Sequence, residues 1–177
     1  RYDSSHNGTD HPWPSALPLA PALIDPAACG GVVEIPVSQI AQRSGGLRHL
    51  QICALSSREM EAALRHAARN DHAVTTIVGH SFELATRDGR RVNKLVRGRF
   101  DRLCAYLEAN VEAMPTATFA ALDVGSPIKA ARPLPARPLR TLWRMAEQAW
   151  GTARYEKPVL GAALVALPPL AAFEDLV

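Results

Sequence analysis

The sequence predicts an α/β fold with parallel strands, and three observations carry that expectation. β-Branched, uncharged runs alternate with helical periodicities in the order strand, helix, strand, helix, strand. The run Val74-Thr75-Thr76-Ile77-Val78 reads as a buried strand that delivers Gly79, His80, Ser81 and Glu83 to the place where it stops. The helix before that run carries a complete start signal. In α/β proteins the carboxyl ends of strands are where the core stops and sites collect. His80 is therefore the first candidate for chemistry, set against the plainer reading of a histidine that caps a strand end.

A chain of 177 residues suffices for one domain with a sizeable core. A net charge of +3 is too mild to argue for nucleic acid, which needs a concentrated basic face. Basic residues do gather between Arg87 and Arg102, but Asp88, Asp101 and Glu108 interrupt them. Nucleic acid is not expected as a partner. Cys29, Cys53 and Cys104 are widely separated, which suggests neither a disulfide framework nor a zinc knuckle. Cys53 and Cys104 sit in apolar runs and are expected as buried free thiols, which favours a reducing, cytoplasmic compartment. The most apolar stretch, Val159 to Leu167, is too short to span a bilayer, so no membrane span is expected.

Arg1 to Gly30 is rich in Pro, Asp, Asn and Ser and reads as a surface-hugging loop. His6 and His11 are five apart, off the spacing that puts two ligands on one helical face, so with Asp10 they are not expected to form a metal site. Gly31 to Ser38 is a short strand that is bulged, at an edge, or ended by Pro36, which lacks a backbone donor. Within it Glu34 either points to water or faces a polar interior. Ser44 to Gly46 is a turn, and Leu47 to Ala54 reads as a loop anchored by Leu50 and Ile52. Ser56 with Glu59 three residues on is a capping box, and Leu55 with Met60 has staple spacing. The helix so started buries Met60, Ala63, Leu64 and Ala67 and turns Arg58, Glu61, Arg65 and Arg69 to solvent. A second helix runs from about Val92 to Ala113, with Val96, Phe100, Leu103, Cys104, Leu107 and Val111 at helical spacing. Residues 116–122 are strand-like. Prolines from Ser126 to Pro138 mark a linker. Pro138 suits a first helical position, and Leu139, Leu142, Trp143, Ala146, Ala149 and Trp150 form an apolar stripe beyond it. An apolar tail follows Lys157. The division expected is 1–125, a linker over 126–138, and a helix with its tail over 139–177.

Gly79-His80-Ser81-Phe82-Glu83 overlaps the nucleophile elbow of α/β-hydrolases. That strained turn needs a small residue where this chain has Glu83, so Ser81 is not expected as a nucleophile. A resemblance points elsewhere. Arg1-Tyr2-Asp3-Ser4-Ser5, then Val33-Glu34-Ile35-Pro36-Val37-Ser38, then Val78-Gly79-His80-Ser81-Phe82-Glu83-Leu84, at these separations, resemble the later half of a NodB-type polysaccharide deacetylase of the WalW-like subgroup. The match covers roughly residues 1–122.

The resemblance implies the carboxyl-terminal part of a distorted (β/α) barrel, with an appended C-terminal helix and tail. It implies a carbohydrate deacetylase that removes N- or O-acetyl groups from a glycan. In that family zinc or another divalent metal polarises the acetyl carbonyl and activates water, and a histidine, matched here by His80, protonates the leaving amine. Glu34 lies in a strand reaching the same end but gains no catalytic role. The family's aspartate pair and H-x-x-x-H metal motif precede the Tyr-Asp-Ser-Ser segment, at which this chain begins. The expectation is a fragment that binds no metal and is inactive alone, its glycan substrate and metal belonging to the intact enzyme. The rival expectation is a non-catalytic α/β domain whose arginine-rich turn grips an anionic partner.

Overall fold

The chain is seen in a computed structural model, which describes residues 1–10, 19–124 and 130–156. Strands β1 (Tyr2–Asp3), β2 (Ala27–Cys29) and β3 (Val32–Glu34) form a sheet in the order β1-β3-β2, with β1 parallel and β2 antiparallel to β3. The stretch expected as a loop from Arg1 to Gly30 thus has a strand near each end. β3 runs on as extended chain: Ile35 N donates to Asp3 O at 2.8 Å and Val37 N to His6 O at 3.0 Å. Donors on this flank come from alternate residues, so Pro36 falls where no N–H is needed. Its ring is fully buried.

Of the segment expected as a loop over 47–54, residues 47–49 form one strand of a hairpin, while 52–54 turn as expected. β4 (Gln39–Ala41) pairs antiparallel with β5 (Leu47–His49) through the expected turn, where Gly45 takes φ +82°. Leu50, at 1% exposure, anchors the hairpin in the core. Residues 74–78 are extended but only half-buried. They pair at one parallel bridge, Gln51 with Val78, plus a bond from Ser38 N to Thr76 O at 3.2 Å. The fully buried strand expected there does not form. Val74 to Ile77 instead line a cavity of about 690 Å³ shared with Met114, Phe119 and Leu122. Nor do residues 116–122 form a strand. They turn at 119–121, and Tyr2 ties them down by stacking on Phe119 and donating its hydroxyl to Leu122 O at 2.8 Å.

Helix α1 (Ser57–Arg69) begins as its sequence predicts. Ser56 Oγ accepts from Glu59 N at 3.2 Å, and Glu59 Oε2 accepts from Ser56 N at 3.3 Å. Leu55, Met60, Ala63, Leu64 and Ala67 are all buried. Helix α2 (Lys94–Ala109), capped by Asn93, is shorter than expected. It touches the core along a narrow seam at Val96 and Leu103, so residues a step round the helix, Phe100 and Cys104, reach solvent. Cys104 is therefore not the buried thiol expected of it.

The core joins Ile40, Leu50, Leu55, Met60, Leu64 and Leu103 with Leu134, which lies in the proline-rich stretch. Ala41 N donates to Leu134 O at 2.9 Å, so the described part of that stretch is laid against the domain. Helix α3 (Pro138–Gly151) has Pro138 in its first turn, as expected, but docks with its polar side inward. Arg144 and Glu59 are both buried and meet at 3.2 Å, and Arg99 meets Glu147 at 2.7 Å. Gln148 Nε2 donates to Ala54 O at 3.2 Å. The apolar stripe faces outward, with Leu139 82% and Leu142 61% exposed. The result is a small mixed α/β domain with three α-helices, and among the described residues no barrel is closed.

Candidate functional site

His80 lies at the carboxyl end of extended residues 74–78, as its place in the sequence predicts. Its backbone is extended (φ −119°, ψ 140°) and it opens a single 3₁₀ turn, Ser81–Leu84, without capping it by its side chain. The ring is exposed and stacks on Phe82, centroids 5.1 Å apart and planes within 10°. Beside it lies a cavity of about 340 Å³, lined also by Ile52, Gly79, Glu83, Leu84 and Phe100. A Cβ on Gly79 would come within 2.9 Å of Ile52 Cδ1, so glycine lets the chain pass close to the cavity wall.

A chain of polar side chains approaches the same place. Thr9 Oγ1 lies 2.9 Å from His49 Nδ1, the other ring nitrogen meets Gln51 Oε1, and Gln51 Nε2 donates to Glu83 Oε1. The carboxylate accepts only, which turns the Gln51 amide so that its oxygen faces His49 and needs a proton on Nε2 there. Glu83 thus borders the His80 cavity and is bonded by Gln51. The Cys53 thiol, next to Glu83, is pushed up to about 12, by burial first and by the Glu83 charge second. It stays protonated near neutrality and is no nucleophile.

Of the other sequence candidates, Ser81 lines the same cavity, whereas Glu34, His6 and the arginine-rich turn are not among its lining residues. Glu34 faces a polar interior, the second of its two readings. At 1% exposure, its Oε1 accepts from Ser5 N at 3.1 Å and His6 N at 2.9 Å. Neighbouring Asp3 is held below the usual carboxylate range, chiefly by the Ser5 hydroxyl. Ser81 is exposed on the 3₁₀ turn. His6 Nε2 lies 3.2 Å from Ala20 O, while the side chain of Asp10 and all of His11 lie outside the described residues. In the arginine-rich turn, Asp88 is lowered by the Thr86 hydroxyl and the Arg90 N–H, so the basic cluster surrounds an ionised acid.

His49 and Gln51 were not expected as site residues, and Glu83 was expected only as a polar group at the strand's end. The signal was present as period-two spacing: residues 49 and 51 share one face once 47–52 is read as a strand. Comparison with known proteins adds no constraint, since no known family, no curated protein and no solved structure matches the chain.

Proposed function

We propose that this chain is the carboxyl-terminal part of a carbohydrate deacetylase, built on a (β/α) barrel, that hydrolyses N- or O-acetyl groups on a polysaccharide or glycolipid sugar. One observation carries the reading. An accessible imidazole stands at the end of an extended segment, beside a cavity also lined by Glu83, which Gln51 bonds. An amine is a poor leaving group until it is protonated, and imidazole both holds and releases a proton near neutrality. In this role the His80 imidazolium gives its proton to the amide nitrogen as the C–N bond breaks, and the sugar departs as the free amine.

The residues present do not fit the metal that the resemblance implies. Among the described residues no three His, Cys, Asp or Glu are grouped to hold an ion. Zinc is assigned to no described residue, and the steps of carbonyl polarisation and water activation belong to no described side chain.

Acetate release from an acetylated chito-oligosaccharide tests the reading. The 177-residue chain alone is expected to release none. When it is expressed with whatever its gene encodes upstream of Arg1, release is expected, and His80→Ala lowers kcat by about 10²- to 10⁴-fold, the range for a lost general acid. Metal-dependent release by the chain alone, or an unchanged kcat in His80→Ala, refutes it.

A further inference from the structure

The turn that follows the His80 segment carries more positive charge than its described surroundings neutralise. Ala85 bridges Val92 antiparallel, Thr86 N donates to Arg91 O at 2.8 Å, and Gly89 N donates to Thr86 O at 2.7 Å. Gly89 takes φ +68°, which closes the turn. The tip is therefore fixed by its own backbone, and it holds Arg87, Arg90 and Arg91 out in solvent. Exposed Lys94 joins them in the first turn of α2, which has no acid. Further along α2, Arg97 is paired with Asp101 at 2.9 Å and Arg99 with Glu147 at 2.7 Å. Arg87, Arg90, Arg91 and Lys94 make no ion pair among the described residues. Asp88, the one acid of the tip, already accepts from Thr86 Oγ1 and Arg90 N. A cavity of about 750 Å³ adjoins the tip, lined by Thr86, Arg87 and Gly89 together with Glu83 and Val96. Glu83 and Val96 also line the His80 cavity, so the two cavities share a wall.

We propose that the arginine tip and this second cavity form a subsite for acidic sugars, so that the glycan met by His80 is a polysaccharide joining N-acetylated sugars to sugars that carry carboxylates. The inference deepens the deacetylase reading and rests on it for the reaction at His80, while the anion binding stands on the charges of the tip. A guanidinium fork matches a carboxylate with two parallel hydrogen bonds, and it stays charged at any working pH. Cations spread from Arg87 to Lys94 suit a chain that repeats its charge better than they suit one small ion. The cavity falls within the roughly 300–1,000 Å³ of ligand sites, room for a sugar ring beside the tip. Charge order along the shared wall agrees. Glu83 is the sole acid among the described residues lining either cavity. It borders the place where the released amine takes up a proton and becomes a cation. Nucleic acid fits less well, because no aromatic residue lies between Arg87 and Arg97 for a base to stack on.

Isothermal titration calorimetry on the full chain tests the subsite. The probe is a hyaluronan octasaccharide, in which glucuronate alternates with N-acetylglucosamine. It is expected to bind, and to bind more weakly as salt rises. The uncharged chitin octasaccharide is expected to bind at least about tenfold more weakly, the effect of one lost charged contact. Arg87→Ser with Arg91→Ser lowers the affinity for hyaluronan by the same factor, with the circular dichroism spectrum unchanged. Arg43→Ser, at an exposed arginine on the turn between β4 and β5, leaves the affinity as it was. Equal affinity in the parent and the Arg87, Arg91 double variant overturns the proposal. So does equal affinity for the two glycans, or tighter binding of a DNA duplex of matched charge, which makes the partner a nucleic acid. The subsite and the reaction fail separately. Hyaluronan bound by the chain but never deacetylated by the protein expressed with its upstream coding sequence removes the deacetylase reading and leaves the subsite. Acetate released from the chitin oligosaccharide by that protein, with no binding of hyaluronan, removes the subsite and leaves the reading.

Discussion

Replacing Arg144 by alanine is the sharpest test of how α3 is held. Arg144 is 5% exposed and Glu59 3%, with Arg144 Nε 3.2 Å from Glu59 Oε2. Removing the arginine leaves a buried carboxylate whose remaining hydrogen bonds come from the backbone N–H and hydroxyl of Ser56, with the charges of Arg48 and Arg140 acting from farther off. Breaking such a pair from one side costs about 3–5 kcal/mol, because the surviving charge stays desolvated. The bond from Arg144 Nη1 to Gln148 Oε1 at 3.0 Å is lost as well. At 2–4 °C per kcal/mol for a chain of this size, the midpoint should fall by roughly 6–20 °C. Urea titration followed by circular dichroism measures the loss. The companion variant, Glu59→Gln with Arg144→Met, keeps an acceptor for the cap and removes both charges, so it should recover most of the stability. A loss below about 1 kcal/mol, the range of an exposed pair, or a double variant no better than the sum of its singles, refutes the argument.

Two pH-linked predictions follow. Alkylation by iodoacetamide at neutral pH should modify exposed Cys104 and spare Cys53, read by mass spectrometry of peptides. Because Cys53 is raised from 9.0 to about 12, the unfolded chain loses that proton first, so stability falls as pH climbs between those values. Cys53→Ala should flatten that fall. His72 moves the other way: burial, then the charge of His66, lowers it below 6.5. The unfolded chain then binds the proton more readily, so stability should drop as pH falls below 6.5. His72→Gln should remove part of that acid sensitivity, and an unchanged pH profile counts against the placement of His72 beside His66.

Local signals in the sequence determined the start of α1, the turn at Gly45, the first turn of α3 and the position of His80 at the end of an extended run. Each rests on bonds or dihedral preferences within a few residues, which neighbouring side chains alone set. Long-range packing decided the rest. Residues 47–49 became a strand by pairing with 39–41, and the chain just beyond is tied to a distant segment, Val78 N donating to Leu50 O and Ile52 N to Val78 O. The same pairing is what strings His49, Gln51 and Glu83 together. In α3 the apolar period was legible but its direction was not. Periodicity says that a helix has two faces, and only partners elsewhere say which face goes in. Here they are Glu59 and Arg99, two buried charges from other helices that the polar side of α3 neutralises.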